Sequence, residues 1–189
     1  SHAPLISSRE PGRYRRPLAA TSAFLDGLDS AATPVPMQNR VLAALGPKML
    51  TLAAERSRGA HPYLTTPEHT ARAIETLGEG PLLLPEQTVI LSADRDEARS
   101  IGIPWLRGYL AMPNYANNML RSGFTDEDVQ TVSDRLFDAL IAWGDEETVL
   151  GRVREHQSAG ADHVCVQVLG ADQQAFPREQ WRRLAAALR

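Results

Sequence analysis

The chain has 189 residues, of which 43% are hydrophobic and 23% charged, with a formal net charge of −3. That balance describes a globular protein of one ordinary domain, taken as residues 1–189, and excludes any general attraction to nucleic acid or to an anionic membrane surface. No segment approaches the ~18 apolar residues of a membrane span, and the single cysteine, Cys165, excludes an internal disulfide and fits a reducing cytoplasm.

The first segment, "SHAPLISSREPGRYRRPL", lacks the apolar centre of a signal peptide. From Tyr14 to Ala31 the residues Leu18, Phe24, Leu25 and Leu28 fall at helical spacings, and "TPVP" ends the pattern. Val41 to Leu45 has the length and apolarity of a strand. Pro47 to Arg58 follows as a helix with proline in its first turn and Gly59 as its stop. "AHPYL" reads as a short buried strand, and "TTPEHTARAIETLG" as a helix with Thr66 as N-cap, Pro67 at N1 and His69 near N3. Within "LLLPEQTVILS" the run "TVIL" is a strand, interrupted upstream by Pro85. A helix with acids in its first turn begins at "DRDEARSIG", and "NYANNMLRSG" and "FTDEDVQTVSDRLFDALIAWG" read as further helix, with a cap at Thr125. Near the end come a helix, a glycine turn and an apolar strand from Val164 to Leu169, expected to be covered on both faces, and then a last helix from Arg178 to Leu188. Repeated strand–helix units imply an α/β fold with parallel strands, and about four strands amount to half of a (β/α)₈ barrel.

The chemistry concentrates at "AALGPKML". A strand that passes through Gly46 straight into a helix leaves the amides around Gly46 and Lys48 without internal partners at the positive end of the helix dipole, which suits a phosphate. The simpler alternative is a Gly-Pro corner selected for its turn geometry alone. His61 and Tyr63 are open to a pocket role or to an ordinary core role. Glu68 and His69 are explained by capping as readily as by substrate contact. Asn114, Tyr115, Asn117 and Asn118 could line a pocket, meet a second copy, or cap a helix. Cys165 reads as a small hydrophobe. No Cys/His metal cluster, G-x-S-x-G elbow, P-loop or G-x-G-x-x-G is present.

The blocks "SHAPL", "RYRRPLA", "LAALGPKMLTLAAERSRGAHPYLTTPEHTARA", "LPEQTVIL", "YLAMPNYANNMLRSGF", "DRLFDALIAWGDEETV" and "GADHVCVQVL" together resemble the C-terminal half of a luciferase-like monooxygenase, in the branch of probable oxidoreductases that use the deazaflavin coenzyme F420. The resemblance implies an α/β fold that is a partial TIM (β/α)₈ barrel, comprising roughly the last four strand–helix units with a helical insertion before the last strand. It implies that Ser1, His2, Ala44, Leu45, Gly46, Pro47, Lys48 and His61 contact the cofactor, F420 or alternatively FMN, with Gly46, Pro47 and Lys48 at its phosphate. It also implies hydride transfer to or from a small organic substrate without a dedicated catalytic side chain. In relatives "SHAPL" follows the fourth strand, so the chain reads as a truncated or half-barrel form. An exposed inner face and open strand edges predict a homo-oligomer, and a non-catalytic half-barrel that associates through those edges is the alternative function.

Overall fold

The computed structural model describes residues 16–188. Helix α1 (Pro17–Asp29) opens with proline at its first turn. The expected strand at Val41–Leu45 is reduced to one parallel bridge, Leu42 to Ala60. Leu42 N–H donates to the Gly59 carbonyl at 3.0 Å and His61 N–H donates to the Leu42 carbonyl at 2.8 Å. Helix α2 (Pro47–Arg56) then starts directly from Gly46.

Gly59 does not stop α2. The helix ends at Arg56 with Ser57 N–H bonded to the Ala53 carbonyl, and Gly59 belongs to strand β1 (Gly59–Ala60). A Cβ at Gly59 would sit 2.0 Å from the Leu82 carbonyl oxygen, so glycine is demanded by the close approach of the neighbouring strand. β1 is shorter than "AHPYL" because Pro62 offers no N–H and Leu64 turns to φ 57°. Helix α3 (Pro67–Leu77) is capped as the sequence predicts, Thr66 Oγ1 accepting from His69 N–H.

Strands β2 (Leu82–Leu83) and β3 (Glu86–Ile90) are one extended segment broken at Pro85, and every strand pairs with it in parallel. Its even-numbered backbone groups serve one edge. Leu82, Leu84 and Glu86 donate to the carbonyls of Arg58, Ala60 and Pro62, and farther along Ile90 accepts from Gly144 N–H. The odd-numbered groups serve the other edge, where Pro85 and Val89 accept from Cys165 and Leu169. Thus β4 (Ile141–Trp143) takes over from β1 on one side, and β5 (Cys165–Val168) occupies the other.

Between β3 and β4 lie the insertion helices α4 (Arg95–Leu110), α5 (Pro113–Arg121), α6 (Asp126–Thr131) and α7 (Asp134–Leu140). The stretch read as continuous helix to Gly144 is broken twice. Val132 takes φ 54° and ends α6, and Ser133 then caps α7 by accepting from Leu136 N–H. At Ile141 the chain extends into β4, where pairing with Thr88, Val89 and Ile90 outweighs one more helical turn. Helix α8 (Glu146–Ser158) leads to β5, and α9 (Arg178–Ala187) closes the chain.

Side chains alternate across the sheet. Val89, Ala142 and Val168 pack outward against Val149 of α8 and Leu184 of α9. Ile90, Ile141 and Leu169 face inward, under the insertion helices. β5 is not covered on both faces, since Cys165, Val166 and Gln167 are each only half-buried. Among the described residues no helix is long and apolar enough to cross a membrane.

One buried polar relay ties these layers together. Thr70 Oγ1 and His156 Nδ1 are 2.8 Å apart, His156 Nε2 donates to Gln87 Oε1 at 3.0 Å, and Gln87 Nε2 donates to the Leu140 carbonyl at 3.1 Å, where β4 begins. Burial pushes the His156 imidazole down to about 4, so it stays neutral in the fold. The unfolded chain therefore binds the extra proton between pH 6.5 and about 4, and stability is expected to fall as pH drops through that window. His156→Ala should remove this slope and lower the unfolding free energy by roughly 2–4 kcal/mol, measured by urea titration at several pH values.

Candidate functional site

At the C-terminal ends of the parallel strands lies a cavity of about 580 Å³. Pro17, Ala20, Thr21 and Phe24 of α1 form one wall, and the segment from Leu42 to Gly46 forms another. His61 and Tyr63 enter from the end of β1, and Asn114 and Tyr115 from the start of α5. Seven residues singled out in the sequence, Ala44, Leu45, Gly46, His61, Tyr63, Asn114 and Tyr115, are brought together here. Pro47 and Lys48 continue from Gly46 into α2 with exposed side chains. Ser1 and His2 lie outside the described residues.

The corner at Leu45–Gly46 is held from behind. His69, only 6% exposed, donates from Nε2 to the Leu45 carbonyl at 2.9 Å. Burial first, and then the charges of Arg72 and Arg121, lower its pKa, so the ring is neutral, protonated at Nε2, with Nδ1 buried and without a partner among the described residues. Past that corner Met49 and Leu50 both donate to the Gly46 carbonyl, whereas the amides of Gly46 and Lys48 have no acceptor among the described residues. Gly46 has φ −93°, which any residue can adopt, and an added Cβ would meet only an Arg121 Nη2 at 3.6 Å. Backbone strain therefore does not require the glycine. Its missing side chain leaves room in front of the two bare amides, and these residues fit an anionic group such as the phosphate arm of a nucleotide-like cofactor.

His61 donates from Nδ1 to the Leu84 carbonyl at 2.5 Å, which fixes the ring and leaves Nε2 as an acceptor with no partner among the described residues. Tyr63 donates to Gln167 Oε1 at 2.6 Å and sits in an aromatic cluster with Trp105, Tyr109 and Tyr115. Its burial, the hydroxyl of Tyr109 and the nearby Glu86 all raise its pKa, so it is a neutral donor. The cavity wall is thus mostly apolar and aromatic, with a few fixed polar atoms, which is the usual make-up of a cofactor pocket.

Glu86 escaped the sequence reading. It is 3% exposed on the inner face of β3, with Oε1 accepting from Thr88 Oγ1 at 2.5 Å and Oε2 accepting from Leu64 N–H at 3.2 Å. The second bond secures the left-handed Leu64 turn that directs Tyr63 towards Gln167. An acid inside "LLLPEQTVIL" was the available signal, since a charge in a buried strand calls for an explanation.

A luciferase-like monooxygenase family description matches residues 12–163. The chain belongs to the luciferase-like monooxygenase family. Among solved structures it is similar to the coenzyme F420-dependent tetrahydromethanopterin reductase of Methanopyrus kandleri, at 19% identity and TM-score 0.54, over 68% of this chain and 44% of that one. It is also similar to apo-MsnO8, at 14% identity and TM-score 0.58, over 98% of this chain and 64% of that one. An F420-dependent secondary alcohol dehydrogenase solved with an F420-acetone adduct matches at 14% identity and TM-score 0.48, over 68% of this chain and 42% of that one. No curated protein sequence matches significantly. The chain spans under two thirds of the length of the reductase and of MsnO8, and its fold is an α/β arc of a TIM barrel.

Burial pushes the Glu86 carboxyl up to about 7, and its two hydrogen bonds only partly counter that. The folded protein holds the extra proton between pH 4.5 and about 7, so this group's contribution to stability falls as pH rises through that window. Glu86→Gln is expected to abolish that slope while leaving the opposite slope of His156 intact, as read from melting temperatures between pH 4 and 8.

Proposed function

We propose that this chain carries the cofactor-binding part of a luciferase-like oxidoreductase that passes hydride between reduced F420, or alternatively FMN, and a small organic substrate. The observation that carries this reading is the cavity at the strand ends, which gathers the Leu42–Gly46 segment, His61 and Tyr63 beside the bare amides of α2. When bound, the cofactor supplies the hydride chemistry. The chain's own residues supply position. Gly46, Pro47 and Lys48 receive the phosphate, Ala44 and Leu45 form the wall beside it, and His61 presents Nε2 nearer the ring. Ser1 and His2 complete the proposed set. A reducing cytoplasm, in which Cys165 remains a thiol, is the compartment that goes with this reading.

We further propose that the chain self-associates, which is the alternative function if no cofactor binds. Both β4 and β5 are edge strands of their sheet, and β5 presents half-buried residues on its faces. Analytical ultracentrifugation is expected to show a dimer or larger species, and a compact monomer at all concentrations would overturn this second reading.

Titration with F420 and with FMN, followed by fluorescence quenching, is expected to give saturable binding of one of them. Lys48→Ala should weaken it by roughly tenfold, the loss of about 1.4 kcal/mol. Absence of saturation with either cofactor at high micromolar concentration would overturn the oxidoreductase reading for this chain.

A further inference from the structure

We infer that the insertion helix α5 completes an anion site at the start of α2, with Arg121, held by Asn118, as the cation that grips a phosphoryl group. The inference rests on the phosphate placement proposed above and extends it to residues from a different part of the chain. α2 has ten residues, and its Gly46 and Lys48 amides have no acceptors among the described residues. A guanidinium nitrogen of Arg121 lies 3.6 Å from where a Gly46 Cβ would be, which sets it directly against that helix start.

Asn118 gives the second, independent observation. It is 2% exposed, its Oδ1 accepts from Arg121 Nη2 at 3.1 Å, and its Nδ2 is buried with no hydrogen-bond partner among the described residues. A buried amide with an unused donor costs free energy unless something arrives to accept from it. Asn114, Asn118 and Arg121 stand on one face of α5, at spacings of four and three residues, and Asn114 lines the cavity. The unused donor therefore belongs to the side of the helix that meets the cavity and the start of α2.

Charge agrees with this arrangement. Among the described residues neither Arg121 nor Lys48 forms an ion pair. Arg72 on α3, which donates to Ser122 Oγ at 3.0 Å, adds a further positive charge beside the end of α5. A planar guanidinium with fixed donors matches two oxygens of a phosphoryl group better than a lysine ammonium does. The ligand class is thus a phosphate monoester or diester, whether free or as the arm of a larger cofactor, bridging α5 and α2.

The test uses the full chain, with inorganic phosphate and FMN as probes and riboflavin as the phosphate-free control. In wild type, phosphate is expected to shift the backbone amide resonances of Gly46 and Lys48 saturably. Arg121→Gln should weaken that binding by roughly tenfold or more, Arg121→Lys by less, and Asn118→Leu by an intermediate factor. Arg121 is exposed, so an unchanged melting temperature will show that Arg121→Gln still folds. Equal phosphate binding by Arg121→Gln and wild type, or no saturable shift in wild type, would overturn the inference. The oxidoreductase reading fails separately. If phosphate binding depends on Arg121 but FMN and F420 bind no better than phosphate, the anion site stands and the cofactor reading does not. If FMN exceeds riboflavin equally in wild type and Arg121→Gln, the cofactor reading stands and the Arg121 site does not.

Discussion

The structure depends on the segment from Leu82 to Ile90, whose backbone is shared among three partners. Its even-numbered groups bond first to residues 58–62 and then to the β4 side, and its odd-numbered groups bond to β5. Pro85 interrupts the strand without breaking these ladders, because its carbonyl still accepts from Cys165. A parallel strand bonded on both edges and buried at every β3 position is the least replaceable element of such a fold. Everything chemical is placed relative to it: Glu86 steadies Leu64 and hence Tyr63, Leu84 holds His61, and Gln87 links outward to His156.

Around this spine two histidines have opposite duties. His156 is fully enclosed and joins α3, α8 and β3 through neutral hydrogen bonds. His69 is nearly enclosed and reaches a single carbonyl, that of Leu45, but by doing so it orients the corner whose amides are left bare. Burial keeps each ring neutral, and a neutral ring with one proton can serve only one carbonyl or amide oxygen at a time. The spare Nδ1 of His69, whose ring bonds Leu45, and the spare Nδ2 of Asn118, whose amide bonds Arg121 beside Gly46, are buried and have no partner among the described residues.

Local signals explain why the helix starts were legible. Thr66, Asp94, Thr125 and Asp145 each cap the helix that follows them, and Pro at the first turn marks α1, α2, α3 and α5. The strands were harder. Val41–Leu45 has an apolar pattern but finds only one bridge, and "IAW" looks like the tail of an amphipathic helix until β3 is there to pair with it. Gly59 read as a helix stop because nothing in the sequence shows that Leu82 passes 2.0 Å from its missing Cβ. Ala44, Leu45, Gly46 and His61 were legible as a group, and Tyr63, Asn114 and Tyr115 as candidate pocket residues, but the α1 wall of the cavity was not. Its residues Pro17 to Phe24 lie 20 to 27 positions before Ala44 in sequence, and no local rule relates such distant faces.

By itself the sequence determined the alternation of strands and helices, the capped helix starts, the bare Gly46–Pro47–Lys48 junction and the family to which the chain belongs. The family was read from the resemblance of whole sequence blocks, and the other features follow from nearest-neighbour chemistry: backbone donors, side-chain caps, and the periodicity of apolar residues. Tertiary structure alone decided that β1 pairs with β2 and β4 then follows it along the same edge beside β3, that His69 and His156 are held neutral, that Glu86 is enclosed with a raised pKa, and that Arg121 meets Gly46. Each of these depends on which distant surfaces exclude water from one another, and burial of that kind is a property of the packed chain as a whole.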